Sequence, residues 1–350
     1  MKLAGTGIVA SIAGYFGRTS TERVAAQSSD SSGAGNSPVR GNNLVVARDG
    51  SGDYEKIQDA IDAIPPNRSN ETRVYIKNGR YKEKLRLPTE KTNVTFIGES
   101  AQGTVLTYDD NADTLDENGE EIGTTGSSSF FVNGDDFTAR NLTFQNSSEP
   151  VAQAVAIRID SDRAAFENCL FLGNQDTLYT HGHDSRQYYR ECFIEGDVDF
   201  IFGWATCLFE NCHIRCKTDS GYVTAASTER EKEFGYVFKN CRVTGEGSDN
   251  SYYLGRPWRP YSQTVFMNTF FGDHIKPVGW KHWNDEQDPE TAFYGEFQNY
   301  GPGYTPDQRA DWTHQLSEAQ AEQYTTENIL SGWDPEGQLR TERPEKSSPF

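Results

Sequence analysis

Apolar positions along this chain come in short alternating runs rather than in helical spacing. One pattern recurs: an aromatic or small residue, one variable position, Asn or Glu, a small core residue, and an apolar residue two further on. It reads Ala139-Arg140-Asn141-Leu142-Thr143-Phe144, then Phe166-Glu167-Asn168-Cys169-Leu170-Phe171 and Tyr189-Arg190-Glu191-Cys192-Phe193-Ile194. It returns as Phe209-Glu210-Asn211-Cys212-His213-Ile214, Phe238-Lys239-Asn240-Cys241-Arg242-Val243 and Phe266-Met267-Asn268-Thr269-Phe270-Phe271. Aligned on Leu142, Cys169, Cys192, Cys212, Cys241 and Thr269, the steps are 27, 23, 20, 29 and 28 residues. A period in the twenties, with no amphipathic helix inside each unit, predicts a solenoid of short strands. The dense leucine consensus of leucine-rich repeats is absent. The fold class is therefore all-β: a single-stranded right-handed parallel β-helix, whose coils vary in length through their loops and stack at about 4.8 Å.

Two segments read as short capping helices. Asp59 to Ile64, preceded by Tyr54 to Gln58 and stopped by Pro65-Pro66, suits the N-terminal end of the solenoid. Ser317 to Tyr324 predicts a second helix near the C-terminal end. The repeat also accounts for four of the six cysteines. Cys169, Cys192, Cys212 and Cys241 share one inward position and form a ladder of small core residues. A disulfide between Cys192 and Cys212 is the sharper alternative in an exported protein. No CxxC spacing marks a zinc site, so a structural metal is not expected.

Chemically capable residues keep the same period. Asp176 and Asp199 are 23 residues apart, as are Gly173 and Gly196, while Gln153 and Gln175 are 22 apart. One coil of separation stacks each pair on one face, so two amides and two carboxylates converge within about 10 Å. Neighbouring carboxylates do not both ionise freely; one keeps its proton while the other stays charged, which supplies an acid and a nucleophile or base. Spacing alone leaves two other readings open, a structural polar ladder and a calcium site.

Composition narrows the field. The 350 residues hold 52 acidic against 33 basic side chains, a formal charge of −19. Such a chain repels a phosphate backbone, which argues against a nucleic-acid partner. A salt-adapted surface is the plain reading of that acidity. Twenty Phe, 17 Tyr and 6 Trp supply ample surface for a core. No apolar run is long enough to span a bilayer. At the N-terminus, Leu3 to Phe16 suits the apolar region of an export signal, with a cleavage site at Val24-Ala25-Ala26. Lys2 to Gly7 looks like the middle of a twin-arginine signal whose two arginines are missing, which a start placed too late would explain. The expected organisation is an export signal over 1–26, a Ser/Gly-rich linker over 27–43, the folded domain over 44–335 and a polar, frayed tail over 336–350. The mature protein is expected to be extracellular and off the membrane.

Several segments match ordered motifs of one enzyme family. Val45 to Tyr54 is similar to that family's opening strand and Gly79-Arg80-Tyr81-Lys82-Glu83 to its GxYxE. Gln153 to Ile157 is similar to QAVAL, and Gly173 to Tyr179 to GYQDTLY. Asp199 to Gly203 is DFIFG unchanged, Leu254 to Trp258 is LGRPW unchanged, and Tyr300 to Gly303 is close to NxGPG. On these motifs the chain resembles the pectinesterases, the pectin methylesterase family of carbohydrate esterases. The family fold is the right-handed parallel β-helix that the repeat predicts independently.

The resemblance implies removal of methyl esters from galacturonate units of pectin. Asp199 would be the nucleophile and Arg256 would keep it charged. Gln153 and Gln175 would hold the oxyanion, and Asp176 would serve as acid and then base. Trp258 and Phe202 would line the sugar groove, with Tyr179, Trp280, Ser129 and Gly79 as further substrate contacts. The scheme needs no cofactor and no metal, and pectin is the only partner it implies. Asn174 replaces the usual Tyr, and Trp204 stands where Asn is common; Trp204 adds either a stacking surface or core. His181 and His183 read as loop residues. Competing readings are another pectin-degrading β-helix enzyme, a lyase or polygalacturonase, and a non-catalytic polysaccharide-binding solenoid. Neither enzyme alternative explains paired glutamines followed by Arg-Pro-Trp.

Overall fold

The computed structural model describes residues 42–283 and 291–340. The predicted export signal, all but the end of the linker and the last ten residues lie outside the described residues. Every pairing between neighbouring strands of the solenoid is parallel, and the strands fall into sheets of eleven, eight and seven. Successive strands visit the three sheets in turn. Ala164–Glu167 lies in the eleven-strand sheet, Leu170–Leu172 in the eight-strand sheet and Leu178–Thr180 in the seven-strand sheet; Arg186–Arg190 then starts the next coil. This is the right-handed parallel β-helix expected from the repeat.

Register matches the sequence alignment. Leu170 pairs with Phe193, Phe193 with His213, His213 with Arg242 and Arg242 with Phe270, so the preceding residues, Cys169 to Thr269, stack one per coil. All six cysteines are free thiols and fully buried, so the ladder reading holds and no Cys192–Cys212 bridge is formed. Each ladder thiol instead donates to a carbonyl, as Cys212 does to Tyr189 O at 3.4 Å.

The repeat's first position stacks as well. Phe166, Tyr189, Phe209, Phe238 and Phe266 form one column of near-parallel rings at 4.3–5.0 Å spacing. Rings held at the strand repeat exclude water along the whole axis and make a one-residue slip costly. The position between the two columns turns the corner between sheets. Asn141, Asn168, Glu191, Asn211, Asn240, Asn268 and Gln298 all adopt φ of 48–55°, the left-handed region that Asn tolerates best. That backbone need explains why the motif is written with Asn.

The ends are closed differently. Helix Ile57–Ala63 buries Ile57, Ala60 and Ile61 against the first coil. Its first N–H groups, on Ile57 and Gln58, donate to the Glu83 carboxylate at 3.0 and 3.1 Å, a favourable place for a negative charge. At the far end a buried pair of Glu296 and Arg309, 2.7 Å apart, knits the last coil. The Ser317 region forms a single helical turn, Glu318–Ala321, with a Ser317/Gln320 capping box. It lies on the flank of the eleven-strand sheet, where Ala321, Tyr324 and Trp333 pack against Tyr188, Leu208 and Val265.

The polar tail expected from 336 is not frayed at its start. Pro335–Arg340 is a helix whose Leu339 is buried, and Gln338 Nε2 donates to Thr138 Oγ1 at 2.9 Å. One apolar side chain in a polar stretch, with Pro at the first helical position, is enough to dock it.

Candidate active site

The seven-strand sheet carries the chemistry on its outer face. Leu178 pairs with Ile201, and the Asp176 N–H donates to Val198 O at 3.0 Å. Asp176 and Asp199 therefore occupy equivalent places in adjacent coils. Both have positive φ, 66° and 49°. Between Val198 and Ile201 the strand carries one residue more than its neighbour Gly221–Ala226, a β-bulge centred on Asp199. Bulges of this kind re-aim one side chain without breaking the sheet. Gly196, one coil above Gly173, is required by close packing: a Cβ there would meet Phe200 Cβ at 2.3 Å.

Arg256 enters from the next coil but one. Its Nε and Nη2 donate to the two Asp199 oxygens at 3.0 and 2.6 Å, a bidentate pair. Gly255 permits this, since a Cβ would lie 2.0 Å from Thr224 Oγ1. The guanidinium is sandwiched between Tyr222 and Trp283, 3.9 and 4.1 Å from their ring centres. Rings on both faces fix its plane and exclude water from the ion pair. With Arg256 already filling the cation position at Asp199, the calcium reading has little to recommend it. Among the described residues no group of His, Cys, Asp and Glu is placed to hold a metal ion.

A cavity of about 420 Å³ opens over the pair. Gln153, Gln175, Asp176, Asp199, Arg256 and Trp258 line it, joined by Tyr179, Phe202 and Ala225. Neither glutamine side chain is engaged by another described residue, so both amides are available to a ligand. Asp176 and Asp199 are 8% and 5% exposed. Burial raises both carboxyls above the usual range. Asp176 rises far more, because the Asp199 charge adds to burial and Arg256 only partly offsets them. Asp199 rises less because Arg256 hydrogen-bonds it directly. One carboxyl is thus held for its proton and the other for its charge.

A family model described as Pectinesterase matches residues 43–333. The chain belongs to the pectinesterase family. It is 41% identical over 297 residues to pectinesterase 31 of Arabidopsis thaliana, covering 83% of this chain and 92% of that protein. Its structure resembles pectin methylesterase from carrot with a TM-score of 0.77 at 34% identity, over 85% of this chain and 95% of the carrot chain. PemA from Erwinia chrysanthemi gives 0.74 at 33% identity, over 83% and 98%. A pectin methylesterase in complex with a hexasaccharide gives 0.75 at 34%, over 83% and 98%.

Three of the expected substrate contacts of this pectinesterase lie away from the cavity. Trp280 is core: it is 1% exposed and donates from Nε1 to Glu296 at 3.2 Å. Gly79 lies in the first-coil strand Gly79–Lys82, with its N–H on Gly103 O, and its motif holds the N-terminal helix through Glu83. Ser129 is buried, its N–H on Val155 O and its Oγ accepting from Tyr108 N. The cavity wall there comes from Thr124 and Thr125, in the preceding helical turn Gly123–Gly126. The hydroxyl pattern of that segment continues back to this pair, and the register between them was the ambiguity. Trp283 was also missed, although it stands only three residues beyond the Trp280 that was singled out.

The aromatic residues close the cavity's side. Tyr179 and Phe202 stack at 4.1 Å in adjacent coils, and Trp204 and Trp258 pack beside them. His181 Nδ1 meets Asp160 Oδ1 at 2.5 Å, and Arg158 grips the same carboxylate. Burial alone would raise Asp160, but these two partners outweigh it and hold the carboxyl below its usual range.

Proposed function

We propose that this pectinesterase hydrolyses methyl esters of galacturonate units in pectin, with Asp199 as nucleophile and Asp176 as acid and base. The observation that carries the reading is the contrast between two in-register carboxylates in one cavity. Asp199 is gripped by Arg256 through both oxygens, while the Asp176 carboxyl has no hydrogen bond or ion pair to another described residue.

In the first step an Asp199 oxygen attacks the ester carbonyl carbon. The carbonyl oxygen becomes an oxyanion, which accepts from the Gln153 and Gln175 amides; such donors contribute about 3 kcal/mol each. Collapse breaks the bond to the methoxy oxygen, which takes the Asp176 proton and leaves as methanol. The product is an anhydride between Asp199 and the substrate carboxyl. Asp176, now ionised, accepts a proton from water as that water attacks the anhydride. Breakdown releases the free uronic acid, which gives its proton to solvent, restores the Asp199 carboxylate and leaves Asp176 protonated. Arg256 acts throughout by orienting the nucleophile and holding its charge. Trp258, Phe202 and Tyr179 offer the sugar an apolar wall.

The reading further includes action outside the cell, supported by the apolar stretch Leu3 to Phe16, and as a monomer, which the family fold suggests. The test is methanol release from highly methylated pectin, at low and high salt, for the wild type and Asp199→Ala. Release by the wild type alone, with no unsaturated product and no chain shortening, is expected. No release from folded wild type at any salt overturns it.

A further inference from the structure

The aromatic wall does not stop at the cavity. Trp283 and Trp258, both in the lining, lie 6.2 Å apart, and Trp204 lies 4.9 Å beyond Trp258. Trp204 is itself stacked on His183, at 4.9 Å and 19° between planes. A continuous row of rings therefore leads from the catalytic arginine out to an exposed loop. The last two members come from turns of adjacent coils and do not line the cavity. Trp204 is half-buried, and the His183 side chain is 51% exposed, anchored by Nδ1 to Glu229 at 2.7 Å. The pair is thus kept in place at the rim with one member open to water.

Charge points the same way. Arg256 and Arg158 are neutralised by Asp199 and Asp160. Arg259 lies over the Trp258 ring at 4.7 Å and donates only to the Trp258 carbonyl, at 3.1 Å. It forms no ion pair among the described residues. On a chain of net charge −19, a guanidinium with no carboxylate partner among the described residues, set beside the ring row, is a place for an anionic ligand.

We infer that Trp204 and His183, with Arg259 alongside, form a distal subsite that binds an unesterified galacturonate unit of the same polysaccharide chain. The pyranose ring stacks on the Trp204–His183 pair and the carboxylate pairs with Arg259. This rests on the pectinesterase reading for the identity of the sugar, but its test does not require ester hydrolysis.

The test is calorimetric binding of an unesterified galacturonate heptamer to wild type, Trp204→Asn, Trp204→Phe, His183→Ala and Arg259→Gln. Trp204→Asn is expected to weaken binding about tenfold, with Trp204→Phe restoring most of it. His183→Ala, at an exposed position, and Arg259→Gln are each expected to weaken it about threefold or more. Unchanged affinity in Trp204→Asn, or a loss that Trp204→Phe does not restore, overturns the subsite. So does failure of the wild type to bind the heptamer. Methanol release by wild type is read separately. Binding through Trp204 without methanol release keeps the subsite and loses the hydrolase; hydrolysis with unaltered heptamer binding in every variant does the reverse.

Discussion

Arg256 holds both oxygens of Asp199, at 3.0 and 2.6 Å, and leaves the Asp176 carboxyl, one coil away in the same register, without a partner among the described residues. Two identical side chains are made chemically different by one guanidinium. Asp199→Ala is therefore expected to abolish methanol release, and Asp176→Asn to lower kcat by about 10²–10⁴, the usual range for a lost acid–base group. Arg256→Lys keeps a cation but loses the bidentate geometry and the ring sandwich, and should fall well below wild type. Steady-state methanol assays with thermal melts as the folding control decide this. Comparable activity in Arg256→Lys would mean that geometry at Asp199 matters little.

The same pair sets a pH profile. Asp199 must be charged, so its ionisation defines the acid limb; Asp176 must carry its proton, so its ionisation defines the alkaline limb. In Arg256→Gln the direct hydrogen bonds and charge that oppose burial at Asp199 are gone, so its carboxyl titrates higher and the acid limb moves to higher pH. Residual activity of that variant, followed across pH, checks the direction of movement.

Stability responds with a definite sign. Asp176 is raised in the folded state, so its contribution is present below the unfolded pKa and is lost as pH rises towards the folded value. Above that window the protein carries the cost of a buried, unpaired charge. Asp176→Asn removes the cost and is expected to stabilise by about 0.5–2 kcal/mol at neutral pH, with no gain in strong acid. Denaturant midpoints at two pH values would show it; equal gains at both would assign the effect to something other than ionisation.

The glutamines act on a charge that exists only in the transition state. Gln153→Ala and Gln175→Ala are each expected to cost about 10²–10³ in kcat with little change in KM. A rise in KM at constant kcat would instead make them ground-state binders.

Most of the scaffold was legible because its physics is periodic. One column of rings and one column of thiols recur at each coil, so the spacing of Phe166, Tyr189 and Phe209, or of Cys169, Cys192 and Cys212, announces the solenoid. Asp176 and Asp199 were legible for the same reason. Residues that depend on loop conformation were not. Thr124 and Thr125 reach the cavity from a helical turn outside the repeat, so no period fixes their register. Trp280 and Trp283 are three residues apart with opposite fates: one buried on Glu296, the other over Arg256. Sequence spacing does not reveal which way an irregular segment turns. Gly79 shows a further limit, since its motif is structural: Glu83 caps the first helix.

Glu191 is the weak member of the corner ladder. It holds φ of 54° where five of the other six members are Asn, and it is exposed. A left-handed conformation costs an ordinary side chain about 1–2 kcal/mol, which Asn partly avoids. Glu191→Asn is expected to raise stability by about 0.5–1 kcal/mol without altering kcat, and to allow a side-chain ladder like that from Asn168 Nδ2 to Asn141 Oδ1 at 2.8 Å. A chemical denaturation curve measures it; a loss of stability would mean that the Glu191 carboxylate matters more than the backbone.

At the far end of the solenoid, Arg309 is the largest single liability. Its Nε and Nη2 donate to Glu296 at 2.7 and 3.2 Å, and its other N–H groups satisfy the carbonyls of Pro277 and Gly303 at 2.8 and 3.0 Å. Both side chains are almost wholly buried, at 2% and 1%. Replacing Arg309 by Ala leaves the buried Glu296 carboxylate without its counter-ion and several carbonyls unpaired, and is expected to cost about 3–5 kcal/mol. Replacing the pair together, Arg309→Met with Glu296→Gln, leaves no buried charge and should cost clearly less than Arg309→Ala alone. A double-mutant cycle by equilibrium unfolding separates the two. If the double variant is as damaged as Arg309→Ala, the carbonyl contacts rather than the ion pair hold this end together.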